Sequence, residues 1–210
     1  MSDLLYNKFD QTPLTTEPFE CIVVPGFVRR QALDAARASY PEVPGPGSHP
    51  PANLDIRDGF KALVEELLGP QFQFAIEKKF DIDLLNRPTM YTVRGSCRAR
   101  DGKIHTDSKT KIITVLLYMN DDEWSSETGR LRLLRSGTDL EDYFMEVEPA
   151  GGTLIAFKRS DKSWHGHHSF EGRRRAIQLN WVTDQSVVDR EQSRHSISTR
   201  LKRLFSRNKM

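Results

Sequence analysis

The chain has 210 residues, 37% of them hydrophobic and 29% charged, with a formal net charge of +2. That length suits one domain with a real core, and no apolar run approaches the roughly 18 residues that suggest a membrane helix. The first residues carry no basic-then-apolar leader, and Cys21 and Cys97 are too few for a disulfide framework, so a soluble, cytoplasmic, reduced protein is expected. The charge is uneven. Residues 194–210 hold six Lys or Arg and no acid, which leaves the body with 25 basic against 29 acidic residues.

In chain order, residues 1–17 are polar and read as a loose arm. Phe19 to Val24 contains a β-branched run that stops at Pro25-Gly26, a strand followed by a turn. Val28 to Tyr40 carries Leu33, Ala36 and Tyr40 at helical spacing. Pro41 to Pro51 has five prolines and cannot form regular structure. It is either a loop long enough to cover a site or a plain surface connector. Asp58 to Leu68 is a second helix, with Phe60, Leu63 and Leu67 on one stripe and Gly69-Pro70 ending it. Phe72 to Leu85 is apolar but mixed and receives no assignment.

From Met90 the pattern changes to strands. Met90–Arg94, Lys111–Asn120, Gly129–Leu134, Phe144–Glu148, Thr153–Phe157 and Arg173–Val182 are expected strands, with Pro149 to Gly152 as a tight turn. Early helices followed by short strands, with no βαβ alternation, predict a mainly β protein whose core is an antiparallel sandwich or jelly roll. The expected organisation is one domain over 1–193, with a helix-bearing part at 1–88 and a β core at 89–184.

Within that core, His105-Thr106-Asp107 is the candidate chemical centre. In an extended strand, side chains two residues apart share a face, so an imidazole and a carboxylate can point at one place. His165, 58 residues beyond Asp107 in Ser163-Trp164-His165-Gly166, would supply a third ligand. Two histidines and a carboxylate leave one side of the coordination sphere open, which suits non-haem Fe(II). His-x-Asp alone also occurs by chance, as a surface His beside a loop Asp. His167 shares the face of His165 if that stretch is extended, and is a second choice or a hydrogen-bonding partner. His168 would face the opposite way, and His49 reads as a solvated loop residue.

The last strand offers an anion clamp. In Arg173-Arg174-Arg175-Ala176-Ile177-Gln178-Leu179-Asn180-Trp181, alternation groups Arg173 and Arg175 with Ile177, Leu179 and Trp181 on the apolar side. An inward guanidinium needs an anionic partner and matches a carboxylate bidentately. Arg175 is therefore expected to grip the far carboxylate of a dicarboxylic co-substrate, or else an internal Asp or Glu.

Taken together, residues 105–181 resemble the 2-oxoglutarate- and Fe(II)-dependent dioxygenases of the prolyl-4-hydroxylase-like kind. The resemblance is carried by His105-Thr106-Asp107, Leu117-Tyr118-Met119-Asn120, Gly129-x-Leu131-Arg132-Leu133, Pro149-x-Gly151-Gly152-Thr153-Leu154-x-x-Phe157, Ser160-Asp161-x-x-x-His165 and Gly172-x-x-Arg175-x-x-x-x-x-Trp181. It implies a double-stranded β-helix core with His105, Asp107 and His165 on iron. It also implies Arg175 on the distal carboxylate of 2-oxoglutarate and Tyr118 hydrogen-bonded to the co-substrate. The spacing of ten residues to Arg175 favours His165 over its neighbours. Two positions depart from the pattern. Where many members carry a tyrosine about ten residues before His-x-Asp, this chain reads Val93-Arg94-Gly95-Ser96, so Arg94 is expected to serve the co-substrate or the substrate. Four residues beyond Arg175, where a hydroxyl is common, stands Leu179.

The implied activity is hydroxylation of an unactivated C–H, with O2 consumed, succinate and CO2 released, and ascorbate as a candidate auxiliary reductant. A prolyl residue, a free amino acid or a small metabolite would each qualify as substrate. Two other uses of the scaffold are oxidative dealkylation of nucleic acid and non-catalytic metal or 2-oxoglutarate binding. Against the first, no aromatic-and-basic groove is evident outside the tail. In that tail, Ile197, Leu201, Leu204 and Phe205 make one apolar stripe among basic residues. A basic amphipathic helix over 194–210 would either touch an anionic membrane or acidic partner, or pack on the acidic body.

Overall fold

The computed structural model describes residues 2–191. Four helices are α1 (Tyr6–Gln11), α2 (Arg30–Ala38), α3 (Asp58–Leu67) and α4 (Pro70–Phe80), with a 3-10 turn at Pro51–Asn53. Eight strands follow or interleave: β1 (Cys21–Val24), β2 (Thr89–Cys97), β3 (Lys111–Tyr118), β4 (Leu131–Leu134), β5 (Tyr143–Val147), β6 (Leu154–Lys158), β7 (His165–Gly166) and β8 (Gly172–Val182). Residues 185–191 are helical. The basic helix expected over 194–210 lies outside the described residues. No described helix is long and apolar enough to cross a membrane.

The strands form two antiparallel sheets, ordered β1-β6-β3-β8-β2 and β5-β4-β7. The protein is thus mainly β with helices concentrated early. The larger sheet is covered on both faces, and each strand in it divides its residues between them. On β8, Ile177, Leu179 and Trp181 join the main core, which also takes Phe60, Leu63 and Leu67 from α3 and Phe72, Ile76 and Phe80 from α4. Tyr118 and Ala176, facing the other way, join Leu131, Leu133, Val147, Ile155 and Phe157 between the two sheets. The rest of the space between the sheets is a cavity.

Two expectations require correction. Residues 1–17 are no loose arm. Phe9 on α1 is fully buried and packs on Phe27 at 5.7 Å and Phe72 at 6.4 Å between ring centroids. Leu4 is buried too and bridges to Val28. Two apolar anchors suffice to dock a short polar segment, and they fall outside any periodic pattern. The unassigned stretch after Phe72 belongs to α4. It starts with Pro70 in its first turn and ends at Asp81, which adopts φ 47°. Phe72, Ile76 and Phe80 repeat at i, i+4 and i+8 and are buried, but the exposed Phe74 obscures the stripe.

The proline loop does border the cavity, through Ser48, Pro50 and Pro51. His49 exchanges both backbone hydrogen bonds with Val93, at 3.0 and 2.8 Å. The loop therefore covers the edge of β2, which would otherwise present unpaired amides. Helices α2 and α3 cross tightly at Gly59, where a Cβ would sit 2.6 Å from the backbone of Ala35.

If α1 is part of the core, Phe9→Ala will cost about 3–5 kcal/mol in urea denaturation. A loss under about 1 kcal/mol would mean that the segment docks without contributing to stability.

Candidate metal centre and its cavity

His105 and His165 are joined by a single antiparallel bridge: His105 N–H donates to the His165 carbonyl at 3.0 Å, and His165 N–H to the His105 carbonyl at 2.9 Å. The bridge sets the two imidazoles 4.3 Å apart, centroid to centroid. Strand β7, missing from the sequence-based expectation because it is two residues long, is held by β4 through the pairing of Leu133 with His165. Asp107, two residues past His105, completes the group. One ligand atom from each of the three residues lies within 4.8 Å of the others, and no other such group occurs among the described residues.

Each ligand is oriented from behind. The Nδ1 of His105 lies 2.8 Å from the Lys103 carbonyl, and that of His165 lies 3.0 Å from the Ser163 carbonyl. A carbonyl can only accept, so each Nδ1 carries the proton and each Nε2 is left with its lone pair for a metal. Asp107 is buried. Its Oδ1 pairs with Lys111 Nζ at 2.8 Å and its Oδ2 accepts from Thr114 Oγ1. Asn180 Nδ2 in turn donates to Thr114 Oγ1 at 2.8 Å.

The electrostatics favour a cation. Burial raises the Asp107 carboxyl, but the Lys111 ammonium, the His165 ring and the two hydrogen bonds outweigh it and hold the group below its usual range. Burial, and then the neighbouring His105, push His165 down to about 4. At neutral pH the site therefore offers a carboxylate and a neutral buried imidazole, the forms that bind metal.

The cavity has a volume of about 530 Å³. Its floor is the face of β8 that carries Arg174, Ala176, Gln178 and Asn180, beside Thr92 and Arg94 of β2 and Thr114 and Leu116 of β3. This corrects the expectation for Arg175. Alternation did sort the residues of β8 properly, but the apolar set faces the helices, while the cavity takes the polar set. Arg175 lies over the Tyr40 ring at 4.6 Å and does not line the cavity. The buried guanidinium inside is Arg174, whose Nε donates to the Gly129 carbonyl and whose Nη2 donates to Tyr118 Oη, at 2.8 and 2.9 Å. Tyr118 is fully buried behind Arg174 rather than on the cavity wall.

Arg94 does line the cavity, and its buried Nε has no hydrogen-bond partner among the described residues. His167 also lines it, with its ring packed against Gly102, where any Cβ would collide at 2.4 Å. Burial, then the charge of Arg174, push His167 down to about 4. His168 turns away to Glu141 and Arg132. The residues missed in the sequence are Arg174, Thr114, Asn180 and Lys111; an even-face reading of β8 would have found the first and third.

The family described as the 2OG-Fe(II) oxygenase superfamily matches residues 94–183. This segment of the chain is therefore similar to that superfamily. The matched segment contains the whole metal group together with Arg94, Tyr118 and Arg174. Among solved structures, a prolyl-4-hydroxylase from Pseudomonas putida is 14% identical, with 86% of this chain and 93% of that chain covered and a TM-score of 0.52. The viral collagen prolyl hydroxylase vCPH from Paramecium Bursaria Chlorella virus-1, in its 2OG complex, is 14% identical over 78% of this chain and 96% of that one, with a TM-score of 0.49. The first of these likenesses is one of fold. No curated protein matches the chain. The matched superfamily implies Fe(II) and 2-oxoglutarate, and the donors of His105, Asp107 and His165 fit an iron ion.

Two outcomes are expected. Thr114→Val removes the hydroxyl that orients Asp107 and should weaken Mn(II) binding, read by electron paramagnetic resonance, by about 10–100-fold; unchanged affinity would show that the hydroxyl does not matter. The second concerns pH. His165 and His167 have folded values of about 4 against 6.5 for an exposed histidine, so the unfolded chain takes up protons first as pH falls. Their contribution is complete above pH 6.5 and is lost on the way down to about 4. The urea midpoint of the metal-free chain should drop across that interval, and less steeply in His167→Gln; equal slopes would contradict a neutral, buried His167.

Proposed function

We propose that this protein is a 2-oxoglutarate-dependent hydroxylase, with a double-stranded β-helix core, acting on an aliphatic C–H of a molecule that enters the cavity between its sheets. The observation that carries the reading is the grouping of the three ligand atoms in one wall of a cavity that also contains a buried guanidinium.

In this reading His105, Asp107 and His165 would hold Fe(II), which with 2-oxoglutarate and O2 would supply the oxidising power, succinate and CO2 being the products of the co-substrate. The chain's own residues do the rest. Lys103 and Ser163 fix the imidazole tautomers through their carbonyls. Thr114 and Lys111 hold the Asp107 carboxylate in place. Arg174 binds the distal carboxylate of the co-substrate bidentately, and Tyr118 locks the guanidinium from behind through its hydroxyl and its ring face, 5.1 Å from Arg174 Cζ. Phe157, Leu116 and Leu131 line the same cavity and keep water away from the reacting groups. The Arg175 role in the sequence-based expectation passes to Arg174, one residue earlier and on the opposite face.

The competing use as a nucleic-acid dealkylase has less support, because Pro50, Pro51, Leu68, Met90, Val187 and Val188 line the cavity, with Tyr91 and Phe157 as its aromatics and no run of rings for successive bases. Localisation in the cytoplasm remains part of the proposal.

The test is substrate-independent turnover of 2-oxoglutarate. Succinate release should need Fe(II) and vanish in His165→Ala. Arg174→Gln should raise KM for 2-oxoglutarate at least about 30-fold, the consequence of losing about 2 kcal/mol from a buried charge pair, while Arg175→Gln stays within about twofold. The reverse ranking would return the clamp to Arg175. Metal-independent succinate release would sink the functional reading.

A further inference from the structure

Two guanidiniums face the same part of the cavity, and among the described residues neither has a carboxylate partner. Arg174 is buried and, among those residues, bonded to the neutral Gly129 carbonyl and Tyr118 hydroxyl. Arg94 projects from β2, opposite Ala176 of β8, and its buried Nε has no partner among the described residues. Desolvation, and then the Arg174 charge, push the Arg94 guanidinium below its usual value. Asp101 acts on Arg94 electrostatically, but its oxygens are taken by the backbone and guanidinium of Arg98.

The other charged residues on the cavity wall do not relieve this pair. Asp107 is matched by Lys111. Glu191 belongs to the helical residues 185–191, whose Val187 and Val188 pack on Val182. Val182 is eight residues from Arg174 along β8, roughly 25 Å of extended strand. Buried like charges with neutral partners cost several kcal/mol. They persist where a ligand supplies the opposite charge, and one distal carboxylate supplies only one.

We infer that the Arg94–Arg174 end of the cavity is an anion site built for two negative charges, so that it takes a doubly charged head group such as sulfate, phosphate or a phosphonate. Arg94 is then a specificity-determining residue. A ligand with a single carboxylate at this end leaves one cation unmatched, and small inorganic dianions compete with it. The competition with 2-oxoglutarate rests on the function proposed above; the anion site itself does not.

The experiment uses the full chain loaded with Mn(II). Sulfate is titrated by calorimetry at constant ionic strength against chloride. Sulfate should bind at one site, be displaced by N-oxalylglycine, and bind at least about tenfold more weakly to Arg94→Gln. Arg94→Lys should keep part of the affinity, and Mn(II) affinity should be the same in all three proteins, which excludes misfolding as the cause. The second measurement compares 2-oxoglutarate with its analogue bearing a phosphonate in place of the distal carboxylate. The wild type should bind the phosphonate at least as tightly, and Arg94→Gln should shift the preference toward 2-oxoglutarate about tenfold or more. Sulfate affinity unchanged in Arg94→Gln, or sulfate that N-oxalylglycine leaves in place, overturns the two-cation site. If N-oxalylglycine itself fails to bind the wild type while sulfate binds through Arg94, the hydroxylase reading falls and the anion site stands.

Discussion

Two backbone hydrogen bonds between His105 and His165 hold the candidate metal centre together. They join residues 60 positions apart, and neither residue belongs to a long strand. A two-residue strand such as β7 has no stability of its own. It is fixed because Leu133, fully buried between the sheets, pairs with His165, and because β5 backs β4 in turn. The metal geometry is thus set by main-chain pairing rather than by side-chain packing. Substituting a ligand would remove one donor, whereas loosening β4 would separate the two imidazoles.

The larger sheet separates stability from function by face. Its helix-covered face carries a largely apolar set from β3, β6 and β8, with Trp181, Leu179, Val115 and Leu117 all but inaccessible and Arg175 at its margin over Tyr40. Its inner face is apolar only at the end closed by Tyr118, Ile155 and Phe157, and elsewhere exposes hydroxyl, amide and guanidinium groups to the cavity. An inner face of Leu and Val would give a more stable sandwich. Part of that polar face is tied into the candidate metal centre: Asn180 bonds Thr114, and Thr114 bonds Asp107.

This division explains what could and could not be read in the sequence. The strands announced themselves through β-branched runs, and His-x-Asp through its two-residue spacing. Both are local properties. His165 was reachable through the spacing of a family resemblance, and Arg94 through a departure from it. The error at Arg175 came from a sound alternation joined to an unsound premise, that the apolar face of a strand is the functional interior. In a strand buried on both faces, the apolar face marks the core and the polar face marks the site. The chain from Asn180 through Thr114 to Asp107 spans two strands and a loop, so only the register of β3 on β8 reveals it. Helix α1 was invisible for a different reason: six residues carry too few apolar positions to show a period.

Strand β8 also ties the two ends of the cavity together. Asn180 stands behind the metal ligand Asp107, and Arg174 stands at the anion end, on one face of one continuous strand. Between them the same face carries Ala176 and Gln178. Ala176 is 1% exposed, and Arg94 is its cross-strand neighbour on β2. The separation of Asn180 and Arg174 is therefore a property of backbone pitch, while the bonds of Arg174 to the Gly129 carbonyl and the Tyr118 hydroxyl settle where its guanidinium lies. Under the proposed function, a co-substrate that reaches both ends is selected by its length as well as by its charge.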